Sequence, residues 1–303
     1  KSSYNRATQS KRQPGSSFKP FIYQIALDSG YSVVSQVADI ARSFDMGNGK
    51  EWTPKNYSGG FQGYITIKSA ITQSRNLATI NLLNDLGLSS VRKQLTDMGF
   101  SDIPENLSIA LGSFGISPLE FAKFYSMFPN DGEIVEPTLI KHIENSFGAS
   151  MDYEPQRKQV LKPEQAFLMT TLLQNVVNNG TGRNAKISGV QIAGKTGTTN
   201  NNIDAWFCGF TPEVEVVVWY GNDDNTPMRK VEGGGRTAAP VFKKFMESYM
   251  KEYPLKQKTF IEPEGVFHTA YEGLIEVYTK ISPVPKQDAQ DTLIKQDDEG
   301  LIF

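Results

Sequence analysis

The chain has 303 residues, 39% of them hydrophobic and 21% charged, the proportions of an ordinary globular protein. Its 31 basic and 33 acidic side chains leave a formal net charge of -2, without the basic excess of a nucleic-acid-binding surface, so no nucleic-acid partner is expected. The single cysteine, Cys208, excludes an internal disulfide and any cysteine-rich metal site, and no apolar run approaches the length of a membrane span. Residue 1 is a lysine and no signal-peptide pattern follows it, so the sequence is expected to be part of a longer protein whose targeting or anchoring segment lies elsewhere.

Pro14-Gly15 punctuates a polar start, and Phe18, Phe21, Ile22, Ile25 and Ala26 then recur at helical spacing, which predicts a buried helix from Ser17 to Leu27. Residues 45–64 are rich in glycine, asparagine and aromatics and read as loop. Short helices follow at Ile67–Ile71, Asn76–Leu86 and Ser89–Met98, the last two stopped by Gly87 and Gly99. Ser117-Pro118-Leu119-Glu120 has the residue types of a capping box and predicts a helix reaching about Phe128. Residues 133–155 read as a small hairpin region, and Lys162-Pro163-Glu164 opens a long helix to about Val177.

From Val190 onward the pattern turns to strands. A strand leading into Lys195-Thr196-Gly197-Thr198 is followed by Ala205–Phe210 and Val214–Tyr220, joined by a tight turn that predicts an antiparallel meander. Gly233-Gly234-Gly235 leads to a helix from about Ala238 to Tyr253, whose expected buried face is Val241, Phe242, Phe245, Met246, Tyr249 and Met250. A short β segment over Val266–Ile281 and a polar, loose tail from Ser282 complete the reading. The class is therefore α+β, with one domain over 1–255 and an extension over 256–303.

Three motifs carry chemistry. Ser16 and Lys19 stand one helical turn apart and place a hydroxyl nucleophile beside an amine. With only His142 and His268 in the chain, neither at metal-ligand spacing, a lysine is the more available base. The second motif is Ser74-Arg75-Asn76, between two short helices, and the third is Lys195-Thr196-Gly197-Thr198. Each alone has a plain structural explanation: a helix cap, a solvated lysine, a strand end. In this order, from 16 to 74 to 195, they form the Ser-x-x-Lys, Ser-x-Asn, Lys-Thr-Gly set.

On these motifs the sequence resembles the transpeptidase domain of a bifunctional (class A) penicillin-binding protein, in the serine β-lactamase and penicillin-binding superfamily. Arg12-Gln13-Pro14-Gly15-Ser16-Ser17-Phe18-Lys19-Pro20, Trp52-Thr53-Pro54-Lys55-Asn56, Ala110-Leu111-Gly112, Gly180-Thr181-Gly182 and Gly234-Gly235-Arg236-Thr237-Ala238-Ala239-Pro240 carry the likeness further, over roughly residues 4–250. It implies an antiparallel sheet flanked by helices, with a helical subdomain, and β-strands ahead of Asn5 that this sequence lacks.

The likeness also implies roles. Ser16 would be the nucleophile, Lys19 its base, Ser74 a proton relay and Lys195 a second amine. Asn76 would hold a substrate amide. Lys195, Thr196 and Thr198 would attract and bind the substrate's terminal carboxylate, with Gly197 also among the substrate contacts, and the N–H groups of Ser16 and Thr198 would form an oxyanion hole. The implied substrate is a peptidoglycan stem peptide ending in D-Ala-D-Ala, with an amine acceptor strand, and β-lactams would acylate the same serine. No cofactor or metal is implied. A glycosyltransferase domain and a membrane anchor outside this chain, on the extracytoplasmic side, are expected. Two rivals use the same serine: a β-lactamase, in whose class A members a glutamate activates the deacylating water, a role for which no Glu-x-x-Leu-Asn stretch stands between Ser74 and Lys195, and a penicilloyl-sensing receptor.

Overall fold

The computed structural model describes residues 3–45 and 50–286. In chain order, a 3₁₀ turn at Gly15–Phe18 runs into α1 (Lys19–Asp28), and the strands β1 (Gln36–Asp39), β2 (Phe44–Asp45), β3 (Glu51–Trp52) and β4 (Gly63–Thr66) follow. The helices α2 (Ile67–Thr72), α3 (Asn76–Leu86), α4 (Leu88–Met98) and α5 (Pro118–Tyr125) come next. Two small antiparallel ladders are then nested in chain order: β5 (Glu133–Val135) pairs with β8 (Arg157–Gln159), and between them β6 (His142–Glu144) pairs with β7 (Ser150–Asp152). The remainder is α6 (Pro163–Asn179), β9 (Ala193–Thr198), β10 (Asp204–Phe210), β11 (Glu215–Gly221), α7 (Ala239–Glu252), β12 (Val266–Tyr271) and β13 (Leu274–Thr279).

The sheet that positions the site is an antiparallel meander in the order β11-β10-β9, as the strand pattern predicts. Its central strand β10 is buried along its whole length because each face is covered. Alternate side chains leave a strand on opposite faces. Trp206, Cys208 and Phe210 therefore enter the main core with α1, α5 and α6, while Phe207 enters a second cluster with Phe242 and Met246 of α7.

Helix α1 is buried on every side from Lys19 to Leu27, the pattern of a helix at the centre of a domain rather than on its surface. Aromatic rings fix its start: Phe18 meets Phe114 edge-on at 4.8 Å, and Phe21 meets Tyr125 at 5.3 Å and 90°. Such pairs contribute about 0.5–1.5 kcal/mol each beyond burial. They anchor the residues immediately after Ser16.

Several elements differ from the sequence reading. β1 lies in a stretch to which the sequence pattern assigns no element; it pairs with β4, whose residues fall at the end of the expected loop. α5 stops at Tyr125, short of Phe128, although Ser117 does cap it by accepting from Glu120 N at 3.2 Å. In α7 only Ala239, Phe242 and Met246 are buried. Val241 is 49% exposed and Phe245 48%, so the helix meets the sheet through a stripe one residue wide, and Phe245 stacks on Tyr249 outside it. The β segment at 266–281 is a hairpin held against the body by Lys68 and Glu276, 2.8 Å apart. The tail expected to be loose from Ser282 is anchored at its start, where Ser282 is buried and donates to Leu27 O at 2.8 Å; beyond residue 286 it lies outside the described residues.

Candidate active site

Two close approaches of backbone bring Ser16 onto β9. Gly197 lies under the turn before Ser16: a Cβ there would sit 2.3 Å from Pro14 O and 2.8 Å from Ser17 Oγ. Gly112 packs against Gly15 so tightly that its Cβ would come 2.5 Å from Gly15 O, in a backbone conformation with φ +63°. The Ser16 turn is thus pressed between β9 and the segment ending in Gly112. Trp206 Nε1 donates to Gln13 O at 2.7 Å, and Arg12 lies over the Trp219 ring at 4.8 Å, which fix the segment ahead of the turn.

The three motifs converge there. Lys19, the first residue of α1, has its ammonium 2.8 Å from Ser74 O and 2.8 Å from Asn76 Oδ1, donating to both. Lys195 comes from β9 on the other side and donates to Ser74 Oγ at 2.8 Å and to Thr196 O at 3.0 Å. Ser74 is the meeting point of the two amines, one on its carbonyl and one on its hydroxyl. It reaches both because its backbone is left-handed, with φ 58°, between α2 and α3. A serine held there stores roughly 1–3 kcal/mol of strain, the kind of cost that collects at working sites.

Both lysines are buried, and among the described residues no carboxylate is in ion-pair contact with either amine. Burial pulls Lys195 down to about 7. Burial, then the neighbouring Lys195 and Arg75 charges, holds Lys19 well below the ordinary lysine value, with Asp39 pulling the other way. Two buried amines that both give up their protons more readily than an ordinary lysine, beside a serine hydroxyl, are equipped for proton transfer.

A second layer supports this centre, and sequence reasoning assigned it no role. Asn56 caps α3 from a distant loop, its Oδ1 accepting from Asn76 N at 2.7 Å and Leu77 N at 3.1 Å. Asp39 takes the Asn56 amide at 2.8 Å on one oxygen and Arg75 on the other, the guanidinium lying 2.6 Å away in a buried ion pair. Arg75, between Ser74 and Asn76, therefore ties this loop to Asp39. Thr181 and Thr196 share a hydrogen bond at 2.7 Å, and Gly234 N donates to Thr198 Oγ1 at 3.0 Å.

All of this opens onto a groove of about 910 Å³, walled by Ser16, Ser74, Asn76, Thr196 and Thr198 and by Trp52 and Tyr57 at its rim. Gly197, expected among the substrate contacts, is not on the wall; it is the spacer under the Ser16 turn. His142 and His268 lie away from the groove, each against a carboxylate at 2.7 Å (Asp152 and Glu262).

The penicillin-binding protein transpeptidase-domain model matches residues 1–247. The chain belongs to that family. Among penicillin-binding relatives, penicillin-binding protein 1A of Neisseria gonorrhoeae is 37% identical over 322 residues, covering 99% of this chain and 39% of that protein. The 1A protein of Pseudomonas aeruginosa is 34% identical over 320 residues, covering 88% and 39%. The chain thus spans about two fifths of the length of these curated relatives. The crystal structure of penicillin-binding protein 1A from Haemophilus influenzae superposes with a TM-score of 0.85 at 26% identity, over 94% of this chain and 50% of that one. PonA1 of Mycobacterium tuberculosis in complex with penicillin V shares the fold, with a TM-score of 0.76 at 23% identity over 93% and 77%.

Proposed function

We propose that the chain is a peptidoglycan D,D-transpeptidase unit acting through a Ser16 acyl-enzyme. The observation that carries this reading is the pair of buried amines, Lys19 and Lys195, joined through Ser74 beside Ser16. Neutral Lys19 takes the Ser16 hydroxyl proton as Oγ attacks the carbonyl of a D-Ala-D-Ala bond. The backbone N–H groups of Ser16 and Thr198 receive the developing oxyanion, each such donor contributing roughly 3–4 kcal/mol to barrier lowering. Support for that pairing comes from the packing of Gly15 on Thr198, whose backbone O and N lie 3.0 and 3.4 Å from the glycine's Cβ direction.

Ser74 passes a proton to the leaving amine, whose alanine carries a terminal carboxylate facing Thr196 and Thr198. Asn76 presents its amide to the substrate backbone, held by its own donation to Lys55 O at 3.0 Å. An acceptor amine then attacks the acyl carbonyl, forms the new amide and returns a proton to Ser16 through the same groups. β-Lactams acylate Ser16 by the first half of this sequence. The work takes place on the extracytoplasmic side, where stem peptides are, and a glycosyltransferase domain and a membrane anchor belong to the longer protein. No described helix is long and apolar enough to cross a membrane.

A hydrolase of the class A β-lactamase type uses a carboxylate to activate water at the acyl-enzyme. Glu232, the acidic residue on the groove wall, is engaged by Arg229, accepting its backbone N–H at 2.8 Å. The test is partition of the acyl group: with a D-Ala-D-Ala peptide and an added amine, the cross-linked amide is expected to form at the expense of free acid. Exclusive hydrolysis, insensitive to amine concentration, would contradict the reading.

A further inference from the structure

One end of the groove carries cations that the chemistry at Ser16 does not use. Arg183 and Arg236 both line the wall, both are exposed, and among the described residues neither meets a carboxylate. Arg183 directs only its Nε inward, to Gly180 O at 3.3 Å. The chain as a whole is slightly acidic, so this excess of positive charge is local to the groove.

Their loops are fastened together and to the carboxylate end of β9. Asn184 Nδ2 donates to Gly235 O at 2.7 Å, and a Cβ on Gly235 would lie 2.6 Å from Thr181 O. Thr181 in turn shares its hydroxyl hydrogen bond with Thr196. Arg183 is two residues beyond Thr181 and Arg236 one beyond Gly235. The loops that carry the two arginines are therefore fastened beside Thr196, at the end of the groove where the leaving alanine departs in the reading above.

This inference rests on that reading. By microscopic reversibility the incoming amine occupies the position that the leaving amine vacates. Its own α-carboxylate, where it has one, falls at Thr196 and Thr198. A second carboxylate on the same molecule would then extend beyond Thr196, toward the two arginines. We propose that Arg183 and Arg236 form an acceptor subsite for a second carboxylate, so that the enzyme prefers a dianionic amine. Guanidinium is suited to this because its planar fork binds a carboxylate through two parallel hydrogen bonds. In the step itself the acceptor nitrogen forms the amide bond, the bond from carbon to Ser16 Oγ breaks, and the amine proton returns to Oγ. The arginines take no part in that exchange.

The test uses the chain acylated by a D-alanyl peptide thioester, with D-glutamate and D-glutamine as acceptors. These are isosteric and differ only in the side-chain carboxylate. The unaltered protein is expected to reach half-maximal aminolysis at about tenfold lower D-glutamate than D-glutamine, a size that two partly exposed charge-assisted contacts support. In the double variant R183A/R236A the two acceptors become equivalent, and R183K/R236K keeps part of the preference. No preference in the unaltered protein, or a preference that survives R183A/R236A, overturns the proposal. So does an equal slowing of benzylpenicillin acylation, which involves no acceptor and would place the arginines on the donor's own carboxylate. Absence of any acylation at Ser16 would instead remove the underlying transpeptidase reading, and the subsite with it.

Discussion

Replacing Lys195 with methionine removes an amine from the interior while keeping an unbranched apolar side chain. Burial pulls Lys195 from its ordinary 10.5 down to about 7 in the folded protein. The unfolded chain therefore holds a proton, between those two values, that the folded chain does not. Stability rises with pH across that window and levels off below it. A shift of this size corresponds to roughly 5 kcal/mol in total at 1.36 kcal/mol per unit. Integrating only from about pH 7.5 to about pH 9.5 gives roughly 2.5 kcal/mol. Lys19 is present in both proteins, and because Lys195 is already largely uncharged in the folded parent across this window, its removal changes the Lys19 titration little.

Urea unfolding of the parent and Lys195→Met at those two pH values reads the difference directly. The variant is expected to be the more stable at pH 7.5, with the parent recovering about 2.5 kcal/mol relative to it at pH 9.5. A gap that does not change with pH would mean that Lys195 stays charged when folded. The idea of two neutral amines flanking Ser74 would then fail.

Three further perturbations probe the support around the centre. Asp39→Asn keeps the shape but strands the buried Arg75 guanidinium; a loss of roughly 3–5 kcal/mol is expected, read as a melting point lowered by about 10 °C, together with slower penicillin acylation. Gly197→Ala drives a methyl into Pro14 O and is expected to slow acylation by at least about a hundredfold while circular dichroism stays near native, because it displaces the Ser16 turn and not a wall residue. Burial holds the Glu215 carboxyl well above the usual carboxylate range, and among the described residues its Oε1 has no hydrogen-bond partner. The folded chain thus keeps a proton that the unfolded chain sheds as pH rises above its ordinary value. Glu215→Gln should match the parent at pH 4 and exceed it in stability at pH 8, by chemical denaturation; equal stability at both would show that the carboxyl is ionised in place.

What was legible in the sequence was local. Asn76–Leu86 begins and ends where the spacing and Gly87 place it, and the meander Ala193–Phe210–Gly221 follows from apolar runs separated by a tight turn. The motif serines and lysines could be named because their spacing is itself the signal. The layer behind them left no such trace. Asp39, Asn56 and Arg75 come from three separate segments, and their hydrogen bonds obey no sequence period. Nothing in Gln73-Ser74-Arg75 asks for a left-handed residue, which a glycine would have announced. β1 escaped because four residues, Gln36–Asp39, become a strand only through pairing with Gly63–Thr66. In α7 the apolar residues outnumber the positions that the sheet can cover, so periodicity overstates the buried face.

The measurement closest to the central claim is mass spectrometry of the chain after brief exposure to benzylpenicillin, with Ser16→Ala beside it. The account predicts one covalent adduct, located on the peptide containing Ser16, persisting through many multiples of the acylation time and absent from the variant. An adduct on another residue, or one that forms equally in Ser16→Ala, would contradict it.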